Sequence, residues 1–399
     1  MPWPHIDFPT AIEKTAVGKG NQILSSEIEP SGRFPVVDQG QAFIAGYSNA
    51  EGRVIREGLP LIIFGDHTRC LKYVDFPFIL GADGTKVLKP RADLFDAKFF
   101  YFALLSLDVP NRGYNRHFTI LKERKVPRPE IDEQQQIAGV LGLVQRALEQ
   151  QERLIALTAE LKRALLRQLF TQGLRGEPQK QTEIGLVPQN WNVNKIGEHC
   201  SSSAFGPRFS SDLYASDGNV VTLRTTDLDD DGNIDYRDAP KARININKLR
   251  NHLLKTGDLV VSRSGTCGIA AVFEGYKMPV LPGAFLIRVR LSRGLRSQFL
   301  RYYINSPIGR PRMANIAQGA IQKNISGTAL KSFAVPVPDL DEQKMIEDHV
   351  EAIDRKLWSH NRKRSALAAL FRTLLHQLMT AQIRVRDLDL DLPEGLLPE

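Results

Sequence analysis

Leu121-Lys122-Glu123-Arg124-Lys125-Val126-Pro127-Arg128-Pro129-Glu130-Ile131-Asp132-Glu133-Gln134 returns, from position 330 onward, as Leu330-Lys331-Ser332-Phe333-Ala334-Val335-Pro336-Val337-Pro338-Asp339-Leu340-Asp341-Glu342-Gln343. Identities continue at the same offset: Ile137 with Ile346, Leu148 with Leu357, Leu161 with Leu370, Leu165 with Leu374, Gln168 with Gln377, Leu169 with Leu378 and Thr171 with Thr380. Two tandem copies of one unit imply an approximate two-fold axis inside one polypeptide. Such a molecule suits a partner that has a two-fold axis of its own, and duplex DNA is the obvious candidate.

The repeated stretch dictates its own local structure. Proline fixes φ and pushes its predecessor out of the helical region, so Val126-Pro127-Arg128-Pro129 and Val335-Pro336-Val337-Pro338 are extended. Asp132 and Asp341 then fall where a helix N-cap belongs, with Glu133 and Glu342 favoured in the first turn by the helix dipole. From there the apolar positions run Ile137, Leu141, Val144, Leu148, then Leu154, Leu157, Leu161, Leu165, Leu169. The second copy runs Ile346, Val350, Ile353, Leu357, then Leu367, Leu370, Leu374, Leu378. Spacings of three and four make a narrow stripe, as in a coiled-coil seam. Two helices are predicted over 132–173 and 341–384, each about 40 residues and ~60 Å long. Both stripes weaken midway, around Gln150-Gln151-Glu152-Arg153 and Ser359-His360-Asn361-Arg362, which suits an antiparallel pair.

The remainder differs in kind. Short β-branched or aromatic runs, among them Leu61-Ile62-Ile63-Phe64, Val220-Val221-Thr222-Leu223, Leu259-Val260-Val261-Ser262 and Phe285-Leu286-Ile287-Arg288-Val289, are punctuated by Gly and Pro. They place one mixed α/β domain over 1–131 and another over 185–340, with 174–184 a polar linker and 385–399 an acidic tail. The tail alternates Asp387-Leu388-Asp389-Leu390-Asp391-Leu392, which is compatible with an edge strand or a loose end.

At 399 residues each unit can bury its own core. Lysine and arginine outnumber aspartate and glutamate 53 to 45, for a net charge of +8, compatible with a polyanion partner. Cys70, Cys200 and Cys267 are too few and scattered for a disulfide framework or a zinc site, and no apolar run approaches the ~18 residues of a membrane span. The expected location is the cytoplasm.

Several motifs resolve into bland readings. Asp227-Leu228-Asp229-Asp230-Asp231-Gly232 resembles a calcium loop, but strand-like residues flank it and a tight Asp-Gly turn accounts for it. Pro338-Asp339 with Glu342-Gln343-Lys344 spells a nuclease-like signature on one helical turn, where capping explains it. Arg263-Ser264-Gly265-Thr266-Cys267-Gly268 is neither a nucleophile elbow nor a phosphate loop. No methylation motif, glycine-rich cofactor loop or metalloprotease motif is found, so no catalytic residue and no metal ligand is assigned.

Two variable domains alternating with two related helices, each helix introduced by Val-Pro-x-Pro-x-x-Asp-Glu-Gln, resemble the specificity subunit of type I restriction-modification systems over nearly the whole chain. Glu183-Ile184-Gly185-Leu186-Val187-Pro188-Gln189-Asn190-Trp191 opening the second unit belongs to the same resemblance. So do Phe34-Pro35-Val36-Val37-Asp38-Gln39-Gly40 with Phe64-Gly65-Asp66-His67-Thr68-Arg69, and Ser262-Arg263-Ser264-Gly265-Thr266 with Gln318 to Ile325. The first domain departs from it by having only Trp3-Pro4 at its start.

The resemblance implies an α/β (α+β) fold: two globular target recognition domains alternating with two long antiparallel coiled-coil helices, with internal pseudo-two-fold symmetry. It implies a non-catalytic chain that reads a bipartite target in double-stranded DNA, one recognition domain per half-site. The helices would set the spacing and dock two methylation subunits, with restriction subunits joining the full complex. No cofactor is expected in this chain; S-adenosylmethionine and ATP with Mg would belong to the partners. The rival reading is a coiled-coil adaptor with two protein-binding domains.

Arg pairs bidentately with guanine, Gln and Asn with adenine, while Lys and Ser/Thr more often hold phosphate. On that chemistry the candidate DNA-binding residues of the first domain are Gln39, Gln41, Asp66, His67, Arg69, Tyr114, Asn115, Arg116 and His117, with Tyr114 or Tyr47 able to stack on a flipped base. In the second they are Arg208, Arg224, Thr225, Arg263, Ser264, Gln322, Lys323 and Asn324.

Overall fold

The computed structural model describes residues 2–388 apart from 83, 112, 114, 115 and 318–323. Most of the acidic tail therefore lies outside the described residues; its start, Val385–Asp387, is a 3₁₀ turn with Val385 buried. The chain divides into two compact units, Met1–Glu152 with Arg362–Glu399, and Arg153–Asn361. Four helices organise them: α1 (Ala97–Ser106), α2 (Ile131–Gln172), α3 (Ser297–Asn305) and α4 (Leu340–Met379). The predicted long helices α2 and α4 span 42 and 40 residues, and each contributes one half to either unit.

In the first unit a four-stranded antiparallel sheet runs in the order Ile12–Glu13, Thr85–Pro90, Leu61–Gly65, Leu71–Val74. In the second unit the corresponding sheet runs Cys200–Phe205, Leu286–Leu291, Leu259–Ser262, Ala270–Val272. Each is followed in sequence by a helix, α1 or α3, whose aromatic residues Phe99, Phe100 and Phe102, or Phe299, Tyr302 and Tyr303, are buried. The first unit adds a second, mixed four-stranded sheet and a two-stranded ribbon; the second adds a mixed three-stranded sheet, the hairpin of Gln179–Thr182 with Gly185–Pro188, and a two-stranded ribbon. The ribbons pair His5–Asp7 with Lys125–Pro127 and Asn192–Lys195 with Ala334–Val337, so both copies of the Val-Pro stretch form the same kind of strand. The first domain thus begins as the second does, although its sequence opens differently.

Within the first unit, Ile137 and Leu141 near the start of α2 share a core with Leu378 and Met379 at the end of α4. Within the second, Leu166, Leu169 and Phe170 near the end of α2 share a core with Ile346 and Val350 near the start of α4. Start meets end in each case, which makes the helices antiparallel.

The repeated Asp-Glu-Gln has a specific structural role. Gln134 and Gln343 are both fully buried. The Gln134 side-chain oxygen accepts from the Asp96 amide at 2.9 Å, and its nitrogen donates to the carbonyls of Leu94 at 3.0 Å and Pro129 at 2.8 Å. Gln343 accepts from the Arg296 amide at 2.9 Å and donates to Gly294 at 3.0 Å and Pro338 at 2.9 Å. One glutamine therefore joins each long helix to the chain entering α1 or α3, and satisfies three backbone groups, of which the carbonyl of Pro129 or Pro338 is bonded in a buried setting and the other two in a part-buried one.

Two expectations need correction. The helices start at Ile131 and Leu340, so Asp132 and Asp341 lie inside the first turn rather than at its cap. In the second copy Asp339 takes that role, accepting from the Glu342 amide at 2.8 Å; Pro338 keeps its predecessor extended, and the helix can begin at once. Glu342 itself is buried and accepts from Trp191 Nε1 at 2.9 Å, so the nuclease-like spelling is spent on capping and packing. The apolar stripe is also only partly internal: Leu154, Leu157 and Leu161 are 45, 55 and 58% exposed. The Asp-rich segment is the expected turn, closed by Asp229 accepting from the amides of Asp231 and Asn233 at 3.0 and 2.8 Å, with Gly232 at φ +78°.

Candidate nucleic-acid interface

In the second unit the strand Leu259–Ser262 ends in a loop that folds back on itself. Ser262 donates its hydroxyl to the Thr266 carbonyl and accepts from the Ile269 amide at 2.8 Å, while the Gly268 amide reaches the Ser262 carbonyl at 2.7 Å. Gly268 sits at φ +86°, where a Cβ would lie 2.3 Å from Met313 Cγ, so only glycine fits. The loop presents Arg263 between two segments: its amide donates to Phe285 and its carbonyl accepts from Ile325, both at 2.9 Å. Arg263 Nε donates to Asn324 Oδ1 at 3.0 Å, and the guanidinium lies 4.4 Å from the centre of the Phe205 ring. Ser264 bridges to Asn324 in an antiparallel pair. Arg263, Ser264 and Asn324 are thus brought together at one sheet end.

Two aromatic residues that sequence reasoning passed over flank this group. Phe205 is 42% and Phe285 55% exposed, large apolar faces beside an arginine. Phe285 reads as the first residue of a strand; the strand starts at Leu286 and leaves it outside.

The other second-domain candidates lie elsewhere. Arg208 is exposed. Arg224 is bidentate to the buried Asp227, with Nη2 at 2.6 Å and Nε at 3.1 Å from Oδ1, and donates to the Asp238 carbonyl at 2.8 Å. The Asp227 hydrogen bond holds its guanidinium above the ordinary value. Thr225 begins the 3₁₀ turn next to it. Gln322 and Lys323 lie outside the described residues.

In the first unit the turn between Leu61–Gly65 and Leu71–Val74 gathers most of the candidates. Gln39 accepts from the His67 amide at 3.2 Å, and Thr68 donates its hydroxyl to the Gln39 carbonyl. Arg69 closes the turn at φ +62°, a left-handed conformation costing a non-glycine residue roughly 1 kcal/mol or more. Its guanidinium donates to the Val109 carbonyl at 2.9 Å. Gln41 and Arg116 are exposed.

Asp66 and His117 are drawn inward, being 3% and 0% exposed. The Asp66 carbonyl meets both the amide and Nδ1 of His117 at 2.9 Å, and its carboxylate caps the short helix Phe118–Lys122 through the Phe118 amide at 2.8 Å. Their place is beneath the surface, fastening that helix to the turn. Tyr114 and Asn115 lie outside the described residues.

A family profile described as "Type I restriction modification DNA specificity domain" matches residues 188–369. The chain is similar to type I restriction-modification specificity subunits. It is 26% identical over 321 residues to the putative type I restriction enzyme MjaX specificity subunit of Methanocaldococcus jannaschii, covering 77% of this chain and 73% of that one. It is 22% identical over 330 residues to the EcoR124I/EcoR124II specificity subunit of Escherichia coli, covering 80 and 79%. The fold is that of the crystal structure of a type I restriction-modification S subunit from M. genitalium, with a TM-score of 0.62 at 18% identity, covering 94% of this chain and 96% of that one. The matched stretch is accordingly a DNA target-recognition domain. None of the chain's helices, among the described residues, is long and apolar enough to cross a membrane.

Proposed function

We propose that this chain is a type I specificity subunit that reads a bipartite duplex target, two short half-sites separated by a fixed non-specific spacer, with one recognition domain on each. The observation that carries this is the duplicated joint: Gln134 and Gln343 make the same three backbone bonds, each fastening one recognition domain to a long helix. In the second domain Arg263, Asn324 and the exposed faces of Phe205 and Phe285 supply a guanine or adenine reader beside an apolar surface. In the first, Gln41, His67, Arg69 and Arg116 serve the same purpose.

The helices act as the ruler and dock two methylation subunits. Leu161 and its repeat counterpart Leu370 are both exposed, at 58 and 46%, and with Leu154 and Leu157 they offer apolar contact at helical spacing. Chemistry is left to partners: methylation subunits carrying S-adenosylmethionine, and restriction subunits carrying ATP and Mg in the full complex. This chain itself is non-catalytic and works in the cytoplasm.

Methylome sequencing of cells carrying the chain with its methylation partner tests the reading. A methylated motif of two half-sites at constant spacing is expected. A gel shift with no sequence-specific competition, even with that partner present, would favour the adaptor reading instead.

A further inference from the structure

Arg288 is 3% exposed, on the second unit's four-stranded sheet, and among the described residues it forms no ion pair with a carboxylate. Its Nη1 donates to Ser202 Oγ at 3.2 Å, while Nε is buried without a partner. Asp258 is nearby but fully engaged: Arg290 Nε and Nη2 reach its two oxygens at 2.7 Å each, and the Lys255 amide adds a third bond at 2.9 Å. Burial, together with the neighbouring Arg290 charge, lowers the Arg288 guanidinium from its ordinary value. A buried cation with an unused donor is stabilised when an anion completes it.

Beside it lies a cavity of about 520 Å³ lined by Ser202, Arg250, Asn251, Lys255, Arg288 and Arg290, with Leu253 and Leu254. Arg250 and Lys255 stand exposed at its rim, and neither forms an ion pair among the described residues. The lining therefore carries three cationic side chains beyond the Arg290–Asp258 pair, together with a hydroxyl and an amide as neutral donors. A carboxylate offers two oxygens and one charge; a phosphate offers more acceptors and more charge, and arginine's planar fork matches it.

We propose that this pocket binds a phosphate group. The group can arrive on a DNA backbone or as a small free phosphate, and the DNA source alone rests on the target-reading function above.

The test uses the full chain with its methylation partner, comparing wild type with Arg250→Gln/Lys255→Gln at the rim and Arg288→Gln inside. Calorimetric titration with inorganic phosphate, against chloride at matched ionic strength, is expected to show saturable binding that weakens at least tenfold in the rim variant. If the source is DNA, the rim variant lowers the slope of log affinity against log salt by about one for each phosphate that the rim no longer neutralises, with the recognised sequence unchanged. Pocket-dependent phosphate binding with an unchanged DNA slope assigns the site to a small phosphate. The proposal is overturned if phosphate does no more than chloride and the rim variant, which alters only exposed side chains, keeps the wild-type DNA slope. Absence of sequence-specific binding by wild type would remove the target-reading function, while the phosphate titration still decides the pocket.

Discussion

Lys162 Nζ lies 2.7 Å from Asp354 Oδ1 and 2.8 Å from Asp231 Oδ1, with the lysine side chain only 5% exposed. Asp354 also accepts from the Tyr302 hydroxyl at 3.0 Å, and the Asp231 carbonyl from Arg301 and Asn305 at 3.2 and 3.1 Å. A lysine on α2 thus ties the Asp-rich turn of the recognition domain to both long helices and α3. In the repeat, position 162 corresponds to 371 and 354 to 145, where Phe371 packs on Phe102 at 5.9 Å and Gln145 replaces the carboxylate. At this position of the repeat the second domain meets its helix through charge and the first through apolar contact.

Lys162→Met is therefore expected to destabilise the second unit by about 1–3 kcal/mol, less than for a wholly buried pair because Asp231 and Asp354 keep some solvent. Urea denaturation of single and double variants with Asp354→Asn should give a coupling of roughly 1 kcal/mol that shrinks with added salt. A salt-independent coupling would contradict the charge-based joint.

Gln134→Leu and Gln343→Leu each strand one buried and two part-buried backbone groups, at about 1–3 kcal/mol for an unsatisfied buried group and less for the others. Either variant is expected to lose several kcal/mol. Hydrogen exchange should show the Asp96 or Arg296 amide, protected in the native chain, opening in the variant of its own unit alone.

Burial raises the Glu342 carboxyl above its ordinary 4.5, although the Trp191 hydrogen bond opposes the shift. The folded state then holds the proton more tightly than the unfolded chain, so this group's contribution to stability falls as pH rises from about 4.5 through the higher folded value. Glu342→Gln keeps an acceptor for Trp191 and should flatten the stability curve over that interval. An identical pH profile in the variant would argue against the raised value.

On the proposed reading, Arg263→Ala removes one bidentate reader, worth roughly 1–3 kcal/mol of base discrimination. The methylome should show one half-site relaxed at a single position and the other half-site intact. Uniform weakening of both halves would place Arg263 on the phosphate backbone instead.

Four residues inserted within Leu157-Thr158-Ala159-Glu160-Leu161 add about one helical turn, ~6 Å, or nearly two base pairs at ~3.4 Å each. Methylome sequencing should find the half-sites unchanged and the spacer longer. An unchanged spacer would end the ruler idea.

The long helices were legible because three-and-four spacing survives any tertiary context, and the strands because runs such as Leu61 to Phe64 and Leu259 to Ser262 have no other home. Helix starts were less so, since Asp132, Asp339 and Asp341 are equally good caps until the backbone chooses. Candidate readers were harder still. Asp66 and His117 carry suitable groups, but the Asp66 carboxylate is taken by the Phe118 amide, the His117 ring meets the Asp66 carbonyl, and Arg224 is held by Asp227; such pairings join residues that local pattern cannot weigh against solvent. Arg288 was hidden in a strand-like run, where its burial depends on neighbours more than 30 residues away in sequence.

The six hydrogen bonds of the glutamine joints all go to main chain: carbonyls of Leu94, Pro129, Gly294 and Pro338, amides of Asp96 and Arg296. Every residue type offers the same carbonyl, and every one but proline the same amide. The fastening is therefore indifferent to the side chains of the domain it holds. Recognition surfaces can drift toward new words in DNA without loosening the grammar that spaces them.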